Sequence, residues 1–184
     1  MPIQLSLLRG INVSGQNKIR MADLRDLYES LGFAQVETYL QSGNVVFEAD
    51  GADGDALGRR IEAAIKAAWG FDVAVLMRRP ADIARVIENN PFLTERDEDP
   101  AQQYVTFLHA APENIDASGL DGTEGRGDEY VVGEREVFVF CPNGYGRTKL
   151  SNTFFERKLK VRATTRNWKT VNALHGMAGA AESV

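Results

Sequence analysis

Two stretches of this 184-residue chain carry side chains whose types and spacing suit them to holding an anion. The first is Arg9-Gly10-Ile11-Asn12-Val13-Ser14-Gly15-Gln16-Asn17-Lys18, joined further along by Gln41-Ser42-Gly43-Asn44. Arg9 and Lys18 supply charge, and Asn12, Ser42 and Asn44 supply hydrogen-bonding groups. The glycines let backbone N–H groups approach a phosphate or carboxylate closely. The same amides could instead satisfy the loop's own backbone, so a purely structural reading stands beside the binding one. The second stretch, Pro142 to Asn152, is a glycine-bearing connection from a strand to a helix, with Lys149 and Ser151 near the helix entrance. Unpaired N–H groups and the helix dipole favour anions there. Its spacing is not that of a Walker A loop, which argues against a nucleoside triphosphatase. Thr153 and Glu156 read as a capping box, which would leave Ser151 in the loop.

Charge points the same way. Tyr145 to Thr170 contains eight of the chain's 21 Lys and Arg but only Glu156 of its 26 acids, although the whole chain carries a net charge of −5. Such a local excess is a footprint of an anionic partner or a solvated helix face. Lys18, Arg20, Lys149 and Arg166 also fall at expected helix starts, where the dipole disfavours a cation by roughly 0.3 to 1 kcal/mol unless an anion or acid compensates. Arg166 and its neighbour Asn167 therefore join the candidate binding residues, with salt bridges to nearby acids as the plainer alternative.

Several chemistries are set aside. One cysteine, Cys141, cannot form an internal disulfide, and with two histidines beside it a structural zinc site lacks soft ligands. Cys141 follows Phe138 and Phe140 at a strand end and reads as a packing residue. His109, His175, Trp168, Phe154 and Phe155 read as structural, and Glu95, Asp97, Glu98 and Asp99 as a solvated loop. No apolar run reaches the roughly 18 to 20 residues of a membrane span, and the apolar start is too short for a signal peptide. A cytoplasmic protein without a membrane partner is expected. The identity of any cofactor is unknown from the sequence.

The elements that must position these residues follow from periodicity. A strand at Ile3 to Arg9 and a helix at Met21 to Leu31, capped by Gly32, precede β-prone runs at Val36 to Gln41 and Asn44 to Glu48 around a tight Ser42-Gly43 turn. A helix from Asp55 to Trp69, with Leu57, Ile61, Ile65 and Ala68 inward, and a strand at Val73 to Met77 complete a β-α-β-β-α-β order. Pro80 opens a connecting helix with Ile83, Val86 and Ile87 on its apolar stripe, and Thr94 to Gln103 reads as a polar linker. The pattern then restarts: strand Tyr104 to His109, a short helix after Pro112, strands Glu129 to Val132 and Glu136 to Cys141, a helix from Thr153 to Lys160, a strand at Val161 to Thr164, and a final helix from Arg166 to Ala178. The expected fold is α+β, with two ferredoxin-like βαββαβ-type halves, residues 1–79 and 104–184, packed as one compact protein through a connection at 80–103.

Leu7-Leu8-Arg9-Gly10-Ile11-Asn12-Val13, Asn17-Lys18-Ile19 and Thr38-Tyr39-Leu40-Gln41-Ser42-Gly43-Asn44-Val45-Val46-Phe47 resemble the bacterial domain of unknown function 1697 family. Thr148-Lys149-Leu150-Ser151-Asn152 and Thr165-Arg166-Asn167-Trp168-Lys169-Thr170-Val171 resemble its C-terminal signature. The resemblance implies an α+β fold of ferredoxin-like subdomains and no established activity, substrate or catalytic residue. The leading functional expectation is a binding protein for a phosphate-bearing ligand, either a nucleotide or nucleic acid. An enzyme acting on a phosphorylated small molecule through Lys149, Ser151 or Glu156 is one alternative. The other is a protein-interaction module without a small ligand. Against nucleic acid stand the sequence pI of about 5.1 and the lack of an RNP-type strand.

Overall fold

The computed structural model describes residues 1–51, 53–113 and 127–183. The chain divides into two units, Met1–Ala84 with Leu174–Val184, and Arg85–Ala173. Each contains one four-stranded antiparallel sheet, and with the helices these make a mixed α+β protein.

In the first unit, β1 (Ile3–Leu8), α1 (Met21–Ser30), β2 (Ala34–Tyr39), β3 (Asn44–Glu48), α2 (Gly54–Trp69) and β4 (Val75–Arg78) form a sheet of order β2-β3-β1-β4. The period-2 alternation of β1 sends Ser6 and Leu8 toward the helices, where the Ser6 hydroxyl pairs with buried Tyr28 of α1 at 2.8 Å. Phe47 of β3 packs edge-on against Tyr28 at 5.1 Å. Leu57, Ile61 and Ile65 of α2 close that core, each worth about 1.5–3 kcal/mol of burial. Ala68 is exposed instead of inward, because the 57-61-65 stripe continues at half-buried Trp69. Gly32 ends α1 at φ +83, with the Gly32 N–H bonded to Glu29 O and the Phe33 N–H to Tyr28 O, a Schellman arrangement that returns Phe33 to the core.

The hairpin between β2 and β3 is looser than a two-residue turn. Residues 40–43 form it, with Leu40 at φ 59 and the Asn44 side-chain N–H bonded to Tyr39 O at 2.7 Å.

The second unit takes in the C-terminal part of α3 (Pro80–Glu88), then α4 (Pro91–Thr94), a 3-10 turn at Pro100–Gln102 and β5 (Gln103–Leu108). Two short helical pieces thus fall within or beside the stretch expected as a polar linker. The helix expected after Pro112 lies outside the described residues. β6 (Glu129–Val132), β7 (Glu136–Phe140), a 3-10 turn at Tyr145–Arg147, α5 (Asn152–Leu159), β8 (Ala163–Asn167) and α6 (Trp168–Glu182) complete the chain. The sheet order is β6-β7-β5-β8. Phe155 and Leu159 of α5 pack on Leu108, Val137, Val139 and Ala163.

The two sheets share a register. Leu5 pairs with Val46 and Arg78, and Val105 pairs with Phe138 and Arg166 in the matching positions. The Leu8 N–H bond to Gly43 O matches that of Leu108 to Arg135 O, and Arg9 to Ala74 O matches His109 to Arg162 O. Both β4 and β8 thus carry a buried arginine at one equivalent place.

Three local expectations at the C-terminal end are corrected. The strand expected at Val161 to Thr164 is β8 at Ala163–Asn167, because Thr164 and Thr165 are β-branched and extend the pairing with β5. The last helix starts at Trp168, so Arg166 lies in a strand and not at a helix start. The N-cap of α5 is Ser151, whose hydroxyl accepts from the Phe154 N–H at 3.2 Å. The Thr153–Glu156 capping box does not form, since Glu156 Oε1 accepts from the Ala163 N–H at 3.0 Å.

Candidate functional site

The first stretch forms a loop that follows β1 and is wound tightly on itself. Gly10, Asn12, Ser14, Gly15 and Asn17 all have positive φ. Asn and Gly visit that region at least cost, which is why the loop is rich in them. The Asn12 amide clamps it: Nδ2 donates to Ile19 O at 2.9 Å and to Gln41 O at 2.8 Å, while Oδ1 accepts from the Ile19 N–H at 2.9 Å. Asn17 Nδ2 donates to Gly10 O at 3.1 Å, and the Gln16 N–H to Val13 O at 2.9 Å.

The hairpin turn meets this loop at the same end of the sheet. A Cβ on Gly43 would stand 2.7 Å from Ile11 Cδ1 and 2.9 Å from Leu8 Cβ, so only glycine permits the contact. Asn44 is fully buried and its Nδ2 also donates to Ser42 Oγ at 3.0 Å. Arg9 is half-buried at this end, with its N–H bonded to Ala74 O at 2.9 Å.

Between the loop and α2 opens a cleft of about 460 Å³, within the size range of small-molecule sites. Lys18, Arg20 and Asp23 line one part, and Asn12, Gly15, Ile19, Gln41 and Trp69 the rest. Arg20 Nε and Nη2 each donate to an Asp23 carboxylate oxygen at 2.8 Å. That hydrogen bonding, aided by charge, holds the Asp23 carboxyl below its ordinary range and raises the Arg20 guanidinium. Lys18 is exposed and makes no hydrogen bond or ion pair among the described residues. The lining therefore offers one uncommitted cation, an indole and a rigid polar backbone, while its single carboxylate is engaged with Arg20. Among the described residues, nothing in the lining pairs a nucleophile with a base. Among the described residues no group of three or more His, Cys, Asp or Glu converges on a metal position.

Of the first-stretch candidates, Asn12 and Lys18 reach the cleft. Arg9, Ser42 and Asn44 lie at the same end without lining it, and the Ser42 and Asn44 side chains bond within the turn. Trp69 was not among the candidates. Its signal was present in the i, i+4 spacing from Ile65, which continues the α2 stripe to the helix end.

The second-unit candidates do not converge in the same manner. Ser151 caps α5, and Asn167 Oδ1 accepts from the Thr170 N–H at 2.8 Å at the start of α6. Thr165 faces α5, with its hydroxyl bonded to Asn152 Oδ1 at 2.6 Å, so strand alternation turns neighbouring Arg166 to the other face of the sheet. There Arg166 is buried, donates to Thr164 Oγ1 at 2.8 Å and to Thr165 O at 2.9 Å, and is pushed down to about 10 by burial. Lys149 remains exposed on the loop before α5.

Comparison with known proteins gives the class. Residues 1–138 match the model of the family described as "Protein of unknown function (DUF1697)", and the chain belongs to that family. The C-terminal segments that resemble the family lie beyond the matched residues. A solved structure, that of the conserved bacterial protein SP0830 from Streptococcus pneumoniae, is similar at 27% identity and a TM-score of 0.69, covering 96% of this chain and 98% of that one. No curated protein matches. Among the described residues no helix is long and apolar enough to cross a membrane.

Proposed function

We propose that this is a binding protein for a small phosphate-bearing anion, held in the first-unit cleft with its charge on Lys18 and a planar or apolar part on Trp69. The observation that carries the reading is the uncommitted Lys18 ammonium at a cleft of about 460 Å³. The loop behind it is pinned by three Asn12 hydrogen bonds. A preorganised loop loses little entropy when a ligand arrives, so more of each contact is expressed as affinity. A nucleotide suits the cleft because it brings both a ring for the indole and oxygens for the ammonium. Arg9, Ser42 and Asn44 act behind the site by fixing the loop and the turn. The same reading takes each unit as a ferredoxin-like half, supported by the matching orders β2-β3-β1-β4 and β6-β7-β5-β8. It takes the protein to act in the cytoplasm.

Calorimetric titration with inorganic phosphate, AMP and ADP tests the proposal. Saturable binding that weakens about tenfold or more in Lys18→Ala is expected, the scale of one charged hydrogen bond. Absence of heat with all three ligands, or affinity indifferent to Lys18, overturns it.

A further inference from the structure

The basic surplus of the second unit is not explained by the first-unit cleft. Of the eight cations between Tyr145 and Thr170, Arg166 is buried in the sheet. Lys149, Arg157, Lys158 and Lys160 are instead on or flanking α5, and none of the four makes a hydrogen bond or ion pair through its side chain among the described residues. The one acid of the segment, Glu156, has Oε1 engaged by the Ala163 N–H at 3.0 Å. Lys149 flanks the N-terminal end of α5 and Arg157, Lys158 and Lys160 its C-terminal end, so four like charges border a helix of roughly 12 Å in a chain whose net charge is −5. The C-terminal end of the α5 dipole offsets part of the repulsion among Arg157, Lys158 and Lys160, and a polyanion would relieve the rest.

Aromatic rings lie among these cations. Phe154 is half-buried, and the Lys158 ammonium stands 5.7 Å from its ring centroid, one helical turn away. Half-buried Tyr145 lies 4.9 Å from Tyr104, ring to ring, on the loop that precedes Lys149. Among the described residues, the exposed large hydrophobics Met1, Val13, Leu40 and Val131 all lie outside α5 and the loop before it. A surface that inserts into a bilayer would need such residues beside its cations, whereas backbone phosphates with bases near partly covered rings need none.

We infer that the α5 surface, through Lys149, Arg157, Lys158 and Lys160 with Phe154 beside them, binds single-stranded nucleic acid. Contacts to phosphates supply most of the affinity, and base stacking near Phe154 favours a single strand over a duplex. None of these residues lines the Lys18 cleft.

Fluorescence anisotropy of a labelled 16-nucleotide single strand, its duplex and anionic phosphatidylserine vesicles, from about 50 to 200 mM salt, tests the inference on the full chain. Four phosphate contacts predict a log–log salt slope of roughly −3 for the single strand, and the Lys149→Gln/Arg157→Gln/Lys158→Gln variant should reduce its magnitude by about 2. Phe154→Leu should weaken the single strand about tenfold and leave the duplex unchanged. Lys149→Gln alone, at an exposed loop position that perturbs no packing, should reduce the slope by about 0.7. A wild-type slope retained in the triple variant and in Lys149→Gln, tighter binding to the duplex, or a preference for the vesicles overturns the inference.

Discussion

Replacing Asn12 probes the loop that carries Lys18 more sharply than replacing the lysine itself. Asn12→Ala removes three hydrogen bonds, two donated by Nδ2 to Ile19 O and Gln41 O and one accepted by Oδ1 from the Ile19 N–H. At about 1 kcal/mol net apiece they come to roughly 3 kcal/mol, less whatever water restores at this half-buried position. Alanine must also hold the left-handed backbone of Asn12, at φ 54, for a further 1 to 2 kcal/mol or so. The expected loss is therefore about 2–4 kcal/mol. Asn12→Gly removes the same bonds without the backbone strain and should lose about 1 kcal/mol less. Asn12→Asp keeps the bond from the Ile19 N–H but aims lone pairs at two carbonyls, so it should fall near the alanine variant. Urea unfolding followed by circular dichroism, at unchanged m-value, measures the series. A loss below about 0.5 kcal/mol for Asn12→Ala, or equal losses for alanine and glycine, would refute the picture of a clamped, left-handed loop.

The hairpin contact makes an independent prediction. Gly43→Ala places a Cβ 2.7 Å from Ile11 Cδ1 at a backbone φ of +83, and should cost about 2–4 kcal/mol, read as a lowered Tm by calorimetry. At α5, Ser151→Ala should cost about 1 kcal/mol, because its hydroxyl caps the helix, while Thr153→Ala should stay within about 0.5 kcal/mol in the same denaturation assay. Burial pushes the Cys141 thiol up to about 11, so its contribution to stability is present below its ordinary value of 9.0 and is lost as pH rises from there through about 11. Cys141→Ser, which does not titrate in this range, should flatten that part of the pH–stability curve. In the native protein a thiol reagent at pH 8 should label Cys141 far more slowly than in urea.

Much of the strand and helix order was legible because burial imposes periodicity. The 57-61-65 spacing of α2, the alternation of β1 and the Gly32 end of α1 follow from which side chains must face the core. The restart of the element pattern was legible too, but the residue-level equivalence of the two sheets was hidden. It resides in register, with Leu5 and Arg78 answering to Val105 and Arg166, and different residue types satisfy the same hydrogen bonds. The C-terminal strand was misjudged because Thr164-Thr165-Arg166-Asn167 has no apolar alternation; pairing to β5 decides its extent. The first candidate site was half legible. Its loop chemistry was visible in the Asn and Gly content, but sequence could not tell which amides the loop would consume for itself. Asn12, Ser42 and Asn44 are consumed, and Lys18 is not. The cation-at-helix-start reasoning failed for Arg166 for the simpler reason that the residue is in a strand.

The central claim is that Lys18 and Trp69 form one ligand site. The chain has two tryptophans, so Trp168→Phe leaves Trp69 as the reporter. Titrating that variant with AMP, ADP and inorganic phosphate measures the site directly by indole emission. Saturable quenching by the nucleotides, displaced competitively by phosphate and abolished by Lys18→Ala, is the predicted result. Unchanged Trp69 emission throughout, or quenching that survives Lys18→Ala, would contradict it.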